Sequence, residues 1–136
     1  MAFVVDASVV VAWALQEIHA VATLALARLE NDRAIVPTLW WFEVRNGLVV
    51  NERRGRIHEL RTSEFLQELA RIAVVADTAP VEAQVLGLAR RHWLTVYDAA
   101  YLELAVRRSL PLATLDVPLA QAARAEAVQL IGEGEG

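Results

Sequence analysis

The sequence contains no cysteine. That excludes disulfides, a thiolate nucleophile and a sulfur-bound zinc. It contains no lysine either, so all 13 basic residues are arginines. A P-loop lysine, a Schiff-base lysine and the lysine of a phospho-aspartate receiver are all excluded. Serine is scarce: Ser8, Ser63 and Ser109 are the only three, none inside a G-x-S-x-G turn. There is no G-x-G-x-x-G loop. His19, His58 and His92 share no spacing and read as ordinary surface or core residues. Positive charge is also in deficit. The formal net charge is −4 and the pI about 5.4, so the broad basic footprint of many nucleic-acid binders is missing. No apolar run approaches the ~18 residues that a membrane span needs. The apolar N-terminal run is interrupted by Asp6, and no basic residue precedes Arg28, which argues against a signal peptide. A cytoplasmic location is expected.

What is present is a 136-residue chain, the length of one domain with a sizeable core. Hydrophobic residues make up 56% and the mean hydropathy is +0.34, high for a small monomer. Such an excess suggests that a partner or a second copy covers part of the surface. Short apolar runs at 2–5, 34–37, 71–76 and 112–115 read as buried strands, with AVQLI at 127–131 as a candidate fifth. Helical patterns fill 8–15, 17–31, 38–53, 57–70, about 80–91, 98–108 and the stretch opened by Asp116 and Pro118. Pro37 and Thr38 are expected to open the third of these helices, and Gly55 to end it. This alternation predicts a three-layer α/β/α domain over residues 1–131, with a central, mostly parallel sheet of four to five strands. The GEGEG segment at 132–136 reads as a flexible acidic tail. In parallel sheets, ligands bind outside the carboxyl ends of the strands. Asp6 and Asp116 follow the first and fourth strands, which puts both on that edge.

Four carboxylates stand in apolar settings: Asp6 in FVVDASVV, Glu43 in LWWFEVRN, Asp98 in LTVYDAAYL and Asp116 in PLATLDVPL. Burying an ionised carboxylate costs several kcal/mol unless it is paired or bound to a cation. Four repetitions of that cost point to acids gathered around a divalent metal. Taken singly, Asp6, Asp98 and Asp116 are each explained about as well as helix N-caps. Glu43 is expected mid-helix, where capping does not apply. It shares a face with Asn46 and Gly47, and Gly47 is read as leaving space beside the carboxylate.

The segments VVDAS, VPTLWWFEVRNGL, LTVYDAAYLELA and LATLD together resemble the motifs of PIN-domain ribonucleases, and more narrowly the toxin half of VapBC-type toxin–antitoxin pairs. The resemblance runs through nearly the whole chain in the right order. It implies a PIN-like fold, an acidic cluster formed by Asp6, Glu43, Asp98 and Asp116, and Mg²⁺ or Mn²⁺ as cofactor. It assigns the metal chiefly to Asp6 and Asp98, with Glu43 and Asp116 completing the cluster. Ser8 and Thr114 match the small hydroxyl residues that flank it. The resemblance also implies RNA as substrate, a cognate antitoxin as partner, and a homodimer that enters a larger complex with the antitoxin.

Crowded carboxylates repel one another and take up protons unless a cation relieves them. Mg²⁺ prefers oxygen ligands and retains waters, one of which can act as nucleophile, with Asp98 or Glu43 accepting its proton. Arg45, Arg53 and Arg54 belong to a basic stretch that also holds Arg56 and Arg61. They read either as dipole-favoured residues near a helix C-terminus or as contacts to an RNA backbone. Trp13, Trp40 and Trp41 read as core residues, with base stacking or an interface as the other role. The leading expectation is a metal-dependent RNA endonuclease acting as a toxin. A non-catalytic PIN-like module binding RNA or protein, and a small metal-dependent phosphatase, are the alternatives.

Overall fold

The computed structural model describes residues 1–133. The acidic tail expected at 132–136 therefore lies largely outside the described residues. Within it, Glu133 accepts hydrogen bonds from the Arg124 guanidinium.

Four short strands build one sheet: β1 (Ala2–Val5), β2 (Arg33–Pro37), β3 (Val74–Asp77) and β4 (Leu112–Ala113). Their order is β3-β2-β1-β4, and every pairing is parallel. Parallel strands cannot be joined by tight turns, so helices make each crossover. Helices α1 (Ala7–Leu15) and α2 (Ala20–Arg28) join β1 to β2, and α3 (Trp40–Arg53) and α4 (Glu59–Leu69) join β2 to β3. The return from β3 across the sheet to β4 uses α5 (Glu82–His92) and α6 (Val96–Arg108), and α7 (Val117–Ala125) follows β4. Right-handed crossovers in opposite directions put α1–α4 on one face and α5–α6 on the other, the expected three layers.

The central strand β1 has no polar side chain, and Phe3, Val4 and Val5 are buried between the layers. Helix α1, ASVVVAWAL, carries no charge and buries Val9 and Val10 completely. It lies against α3, where Val44 and Leu48 are fully buried. Each such aliphatic side chain contributes on the order of 1.5–3 kcal/mol. Helix α6 packs across β1, β2 and β4, with Tyr101, Leu102 and Leu104 inward. Among the described residues no single helix is long and apolar enough to cross a membrane.

Several local expectations need correction. AVQLI forms no fifth strand; Leu130 makes one isolated parallel bridge to Leu112. Pro37 does not open a helix but is the last residue of β2, paired with Asp77 of β3. The next helix begins only at Trp40. Strand β3 lies three residues beyond the expected start, because Arg71 and Ile72 still bond back into the end of α4. Gly55 does end α3, in the left-handed conformation at φ +72°.

Candidate active site

Strand order places a topological switch between β1 and β4, which leads on to α1 on one side and α7 on the other. Crevices outside strand ends at such switches are the usual ligand sites of open parallel sheets. Here the crevice is an open cleft of about 450 Å³, and Asp6, Glu43, Asp98 and Asp116 all line it. Strand β1 delivers Asp6, the first turn of α3 delivers Glu43, the first turn of α6 delivers Asp98, and the segment after β4 delivers Asp116.

Asp6 is only 6% exposed. It occupies the N-cap position of α1, but its side chain makes no capping bond. Its Oδ2 instead accepts hydrogen bonds from Ser8 Oγ at 2.9 Å and Thr114 Oγ1 at 2.7 Å. Leu115 N–H donates to Ser8 Oγ, a second bond joining the ends of β1 and β4 beside that of Thr114 to Asp6, and Asp116 N–H donates to Thr114 Oγ1 within its own segment. Burial raises the Asp6 pKa above the usual carboxylate range, the two hydroxyls partly offset this, and the Asp116 charge adds to it.

Asp116 is a true N-cap. Its Oδ2 accepts from Leu119 N–H at 2.9 Å, and Pro118 sits in the first turn of α7. Asp98 is not a cap, contrary to the sequence reading. Helix α6 starts two residues earlier, and Thr95 Oγ1 caps it by accepting from Asp98 N–H at 3.1 Å. The cap is thus made by threonine, which leaves the Asp98 carboxylate in the cleft. Its pKa is raised, first by burial and then by the charges of Asp116 and Asp6.

Glu43 also departs from expectation. It lies in the first turn of α3 rather than mid-helix, where the helix dipole favours an acid. Tyr101 Oη donates to its Oε1 at 2.6 Å. Burial raises the Glu43 pKa, the tyrosine lowers it, and the Asp6 and Asp98 charges raise it. Gly47 lines the cleft with Glu43, but it also serves the packing. A Cβ there would stand 2.7 Å from Val11 Cγ2, so the glycine allows α1 and α3 to approach closely.

Mutual repulsion therefore links the acids: Asp6, Glu43 and Asp98 each feel at least two carboxylates or are felt by them. Among the described residues none of the four is paired with an arginine; their bonds go to hydroxyls and one amide. No three acid or histidine side chains among the described residues form a ready-made ion cage. The donor set is nonetheless all oxygen, carries uncompensated negative charge and opens to solvent. That fits a hard divalent cation that keeps part of its water shell.

Of the arginines singled out from sequence, Arg54 lines the cleft, together with Arg56. Arg45 does not; its guanidinium lies 3.9 Å from the Trp41 ring centroid and donates to Trp41 O. Arg53 is exposed and does not line the cleft. Trp40 is core and Trp13 is partly buried, its indole donating to Ala22 O at 2.7 Å. Trp41 is not core: it is 51% exposed, edge-on to an exposed Phe42. The sequence reading missed Tyr101 and Thr95. Tyr101 stands three residues after Asp98 on one helix face, and a buried tyrosine hydroxyl needs a partner, which was the available signal.

A match to the PIN domain family spans residues 3–125. The chain is 35% identical over 125 residues to Ribonuclease VapC3 of Pyrobaculum aerophilum, covering 89% of this chain and 94% of that protein. Its structure is similar to the crystal structure of PAE2754 from Pyrobaculum aerophilum, with a TM-score of 0.68 and 27% identity over 90% of this chain and 87% of that one. With the parallel sheet and the four-acid cleft already in place, the chain belongs to the PIN-domain family.

Proposed function

We propose that this PIN domain is a metal-dependent RNA endonuclease that hydrolyses phosphodiester bonds and acts as a growth-inhibiting toxin, neutralised by a cognate antitoxin. The observation that carries the reading is the convergence of Asp6, Glu43, Asp98 and Asp116 on one cleft, with no arginine paired to any of the four among the described residues. The 35% identity to a protein named a ribonuclease supports RNA as the substrate.

Asp6 and Asp98 would hold Mg²⁺, or Mn²⁺, and Glu43 and Asp116 would complete the cluster. Such an ion supplies charge neutralisation at the phosphodiester and a lowered pKa for the attacking water. The side chains do the rest. Ser8 and Thr114 fix the Asp6 carboxylate and keep one oxygen engaged. Asp98 or Glu43, each with a pKa above the ordinary range, takes the proton of the attacking water. Tyr101 orients Glu43 and tempers its basicity.

The partner reading has its own support. A groove of about 280 Å³ beside Pro37, Trp41, Arg45 and Leu69 joins apolar surface to a cation, a setting suited to an amphipathic antitoxin helix. Exposed Trp41, Phe42 and Trp93 suit contacts with an antitoxin or with a second copy in a homodimer. Within this reading the domain occupies 1–131, the protein acts in the cytoplasm, and Arg54 touches the RNA backbone.

The test is RNA cleavage by purified, antitoxin-free protein with Mg²⁺ or Mn²⁺. Asp6→Asn and Asp98→Asn should each lower the rate by about 10³-fold or more while the circular dichroism spectrum stays native. A wild-type protein that binds transfer or ribosomal RNA but cleaves none would favour the non-catalytic module.

A further inference from the structure

We infer that Arg54 and Arg56 form a phosphate-binding subsite for the RNA strand, at the opposite end of α3 from the acidic cluster. The inference rests on the ribonuclease reading and adds to it the path of the substrate.

Helix α3 runs along the cleft. Glu43 stands in its first turn, Asn46 and Gly47 follow, then Asn51, then Arg54 and Arg56 just past the end, and all line the same cleft. From Glu43 to Arg54 the rise is about 16 Å. A phosphate held at the arginines is therefore not the one at the acids but one further along the same strand.

The local backbone is built to present both side chains. Arg56 N–H donates to Asn51 O and Gly55 N–H donates to Glu52 O, the paired bonds of a Schellman helix end with glycine in the left-handed position. A Cβ on Gly55 would meet nothing within 4 Å, so the glycine serves the backbone turn and not packing. The turn sets Arg54 and Arg56 on either side of Gly55 and both on the cleft.

The second observation is that both stay unpaired inside an acidic cleft; Arg33, Arg53, Arg71 and Arg90 also show no ion pair among the described residues, but none of them lines it. Arg61, Arg91, Arg107, Arg108 and Arg124 are each tied to a carboxylate. Arg54 and Arg56 have no ion pair or side-chain hydrogen bond among the described residues, although they face a cleft lined by acids. Glu17 lines it too, and no ion pair joins it to either arginine. A helix-end dipole favours cations near the last turn, but it gives no reason to leave two of them unpaired in an acidic cleft. An anionic strand does. In a chain of net charge −4, a cation at the cluster would neutralise only the scissile phosphate, and these arginines answer the next charges along.

The experiment uses cleavage kinetics on a single-stranded RNA of about 12 nucleotides, a length within the site sizes of such grooves. Arg54→Gln with Arg56→Gln should raise KM about tenfold or more with kcat nearly unchanged. It should also lower the salt slope of log(kcat/KM) by about 1.4, the sum for two lost phosphate contacts at ~0.7 each. A trinucleotide substrate, too short to reach the arginines, should show no difference. The control, Arg33→Gln with Arg71→Gln, removes the same charge toward the opposite edge of the sheet and should leave KM as it was. Unchanged KM and salt slope in the cleft variant, or an equal effect in the control, overturns the subsite. If the wild-type protein cleaves no RNA, the ribonuclease reading fails by itself. Fluorescence anisotropy with the same RNA then decides the subsite: equal affinity of wild type and cleft variant overturns it, and weakened binding in the variant alone supports it.

Discussion

Asp6, the most buried of the four acids, is held by two hydroxyls and not by a cation of the chain. Hydroxyls stabilise a carboxylate without neutralising it, so the negative charge stays available to a ligand. Glu43 has the same arrangement with Tyr101. This pair carries a pH prediction with a definite sign. The tyrosine hydroxyl lowers the Glu43 pKa, against burial and the neighbouring acids. Tyr101→Phe should therefore raise that pKa and move the acid limb of the kcat/KM profile to higher pH. An unshifted acid limb would detach Tyr101 from the chemistry. Asp6, Asp98 and Asp116 were legible from sequence as acids in apolar surroundings, but their local roles were not. Only Asp116 makes a capping bond, because Thr95 caps α6 and the Asp6 side chain turns to Ser8 and Thr114. Val96 and Tyr97, apolar and exposed, hid the true start of α6.

At the scale of elements, Gly47 links the site to the packing. It brings α3 against α1, the two helices that follow Asp6 and carry Glu43. Gly47→Ala would gain about 1 kcal/mol in helix propensity but drive a methyl against Val11, whose β-branched side chain has little freedom to move. Overpacking costs typically 1–3 kcal/mol, so a net loss of about 1 kcal/mol is expected, read as a lower midpoint in urea. Val11→Ala in the same chain should return part of it. The strands were legible because buried parallel strands are short, uninterrupted apolar runs, as in AFVV and AIVP. Strand β3 was placed less well. It is an edge strand, with Val75 and Ala76 exposed, and its alternation is weak. The segment 127–131 has strand-like composition but contributes a single bridge, since composition does not report whether a partner edge is available.

At the scale of the whole molecule, the crowding of these acids bears on stability as well as on the proposed chemistry. Asp6, Glu43 and Asp98 have raised pKa values in the fold, so the folded state binds more protons than the unfolded chain above the ordinary carboxylate range. Stability of the ion-free protein should therefore fall as pH rises through those raised values. Asp77 and Glu126, whose pKa values are lowered by arginines and a histidine, act at lower pH, where their contribution is lost as pH falls. The expected melting temperature of ion-free protein declines as pH rises above the ordinary carboxylate range. Asp98→Asn should flatten that decline and melt a few degrees higher than wild type at the upper end, roughly the effect of 1 kcal/mol in a domain of this size. Mg²⁺ should raise the wild-type midpoint and close the gap. A pH-independent midpoint would mean that the acids are relieved in some other way.

The central claim is that these four acids form a metal-dependent ribonuclease site. The most direct measurement is cleavage of RNA by purified protein in Mg²⁺, in Mn²⁺ and in chelator, with Asp98→Asn alongside. Cleavage by the wild-type protein is expected with either metal, none in chelator, and a loss of about 10³-fold or more in the variant. Cleavage that survives chelation, or a variant as active as the wild type, would contradict it.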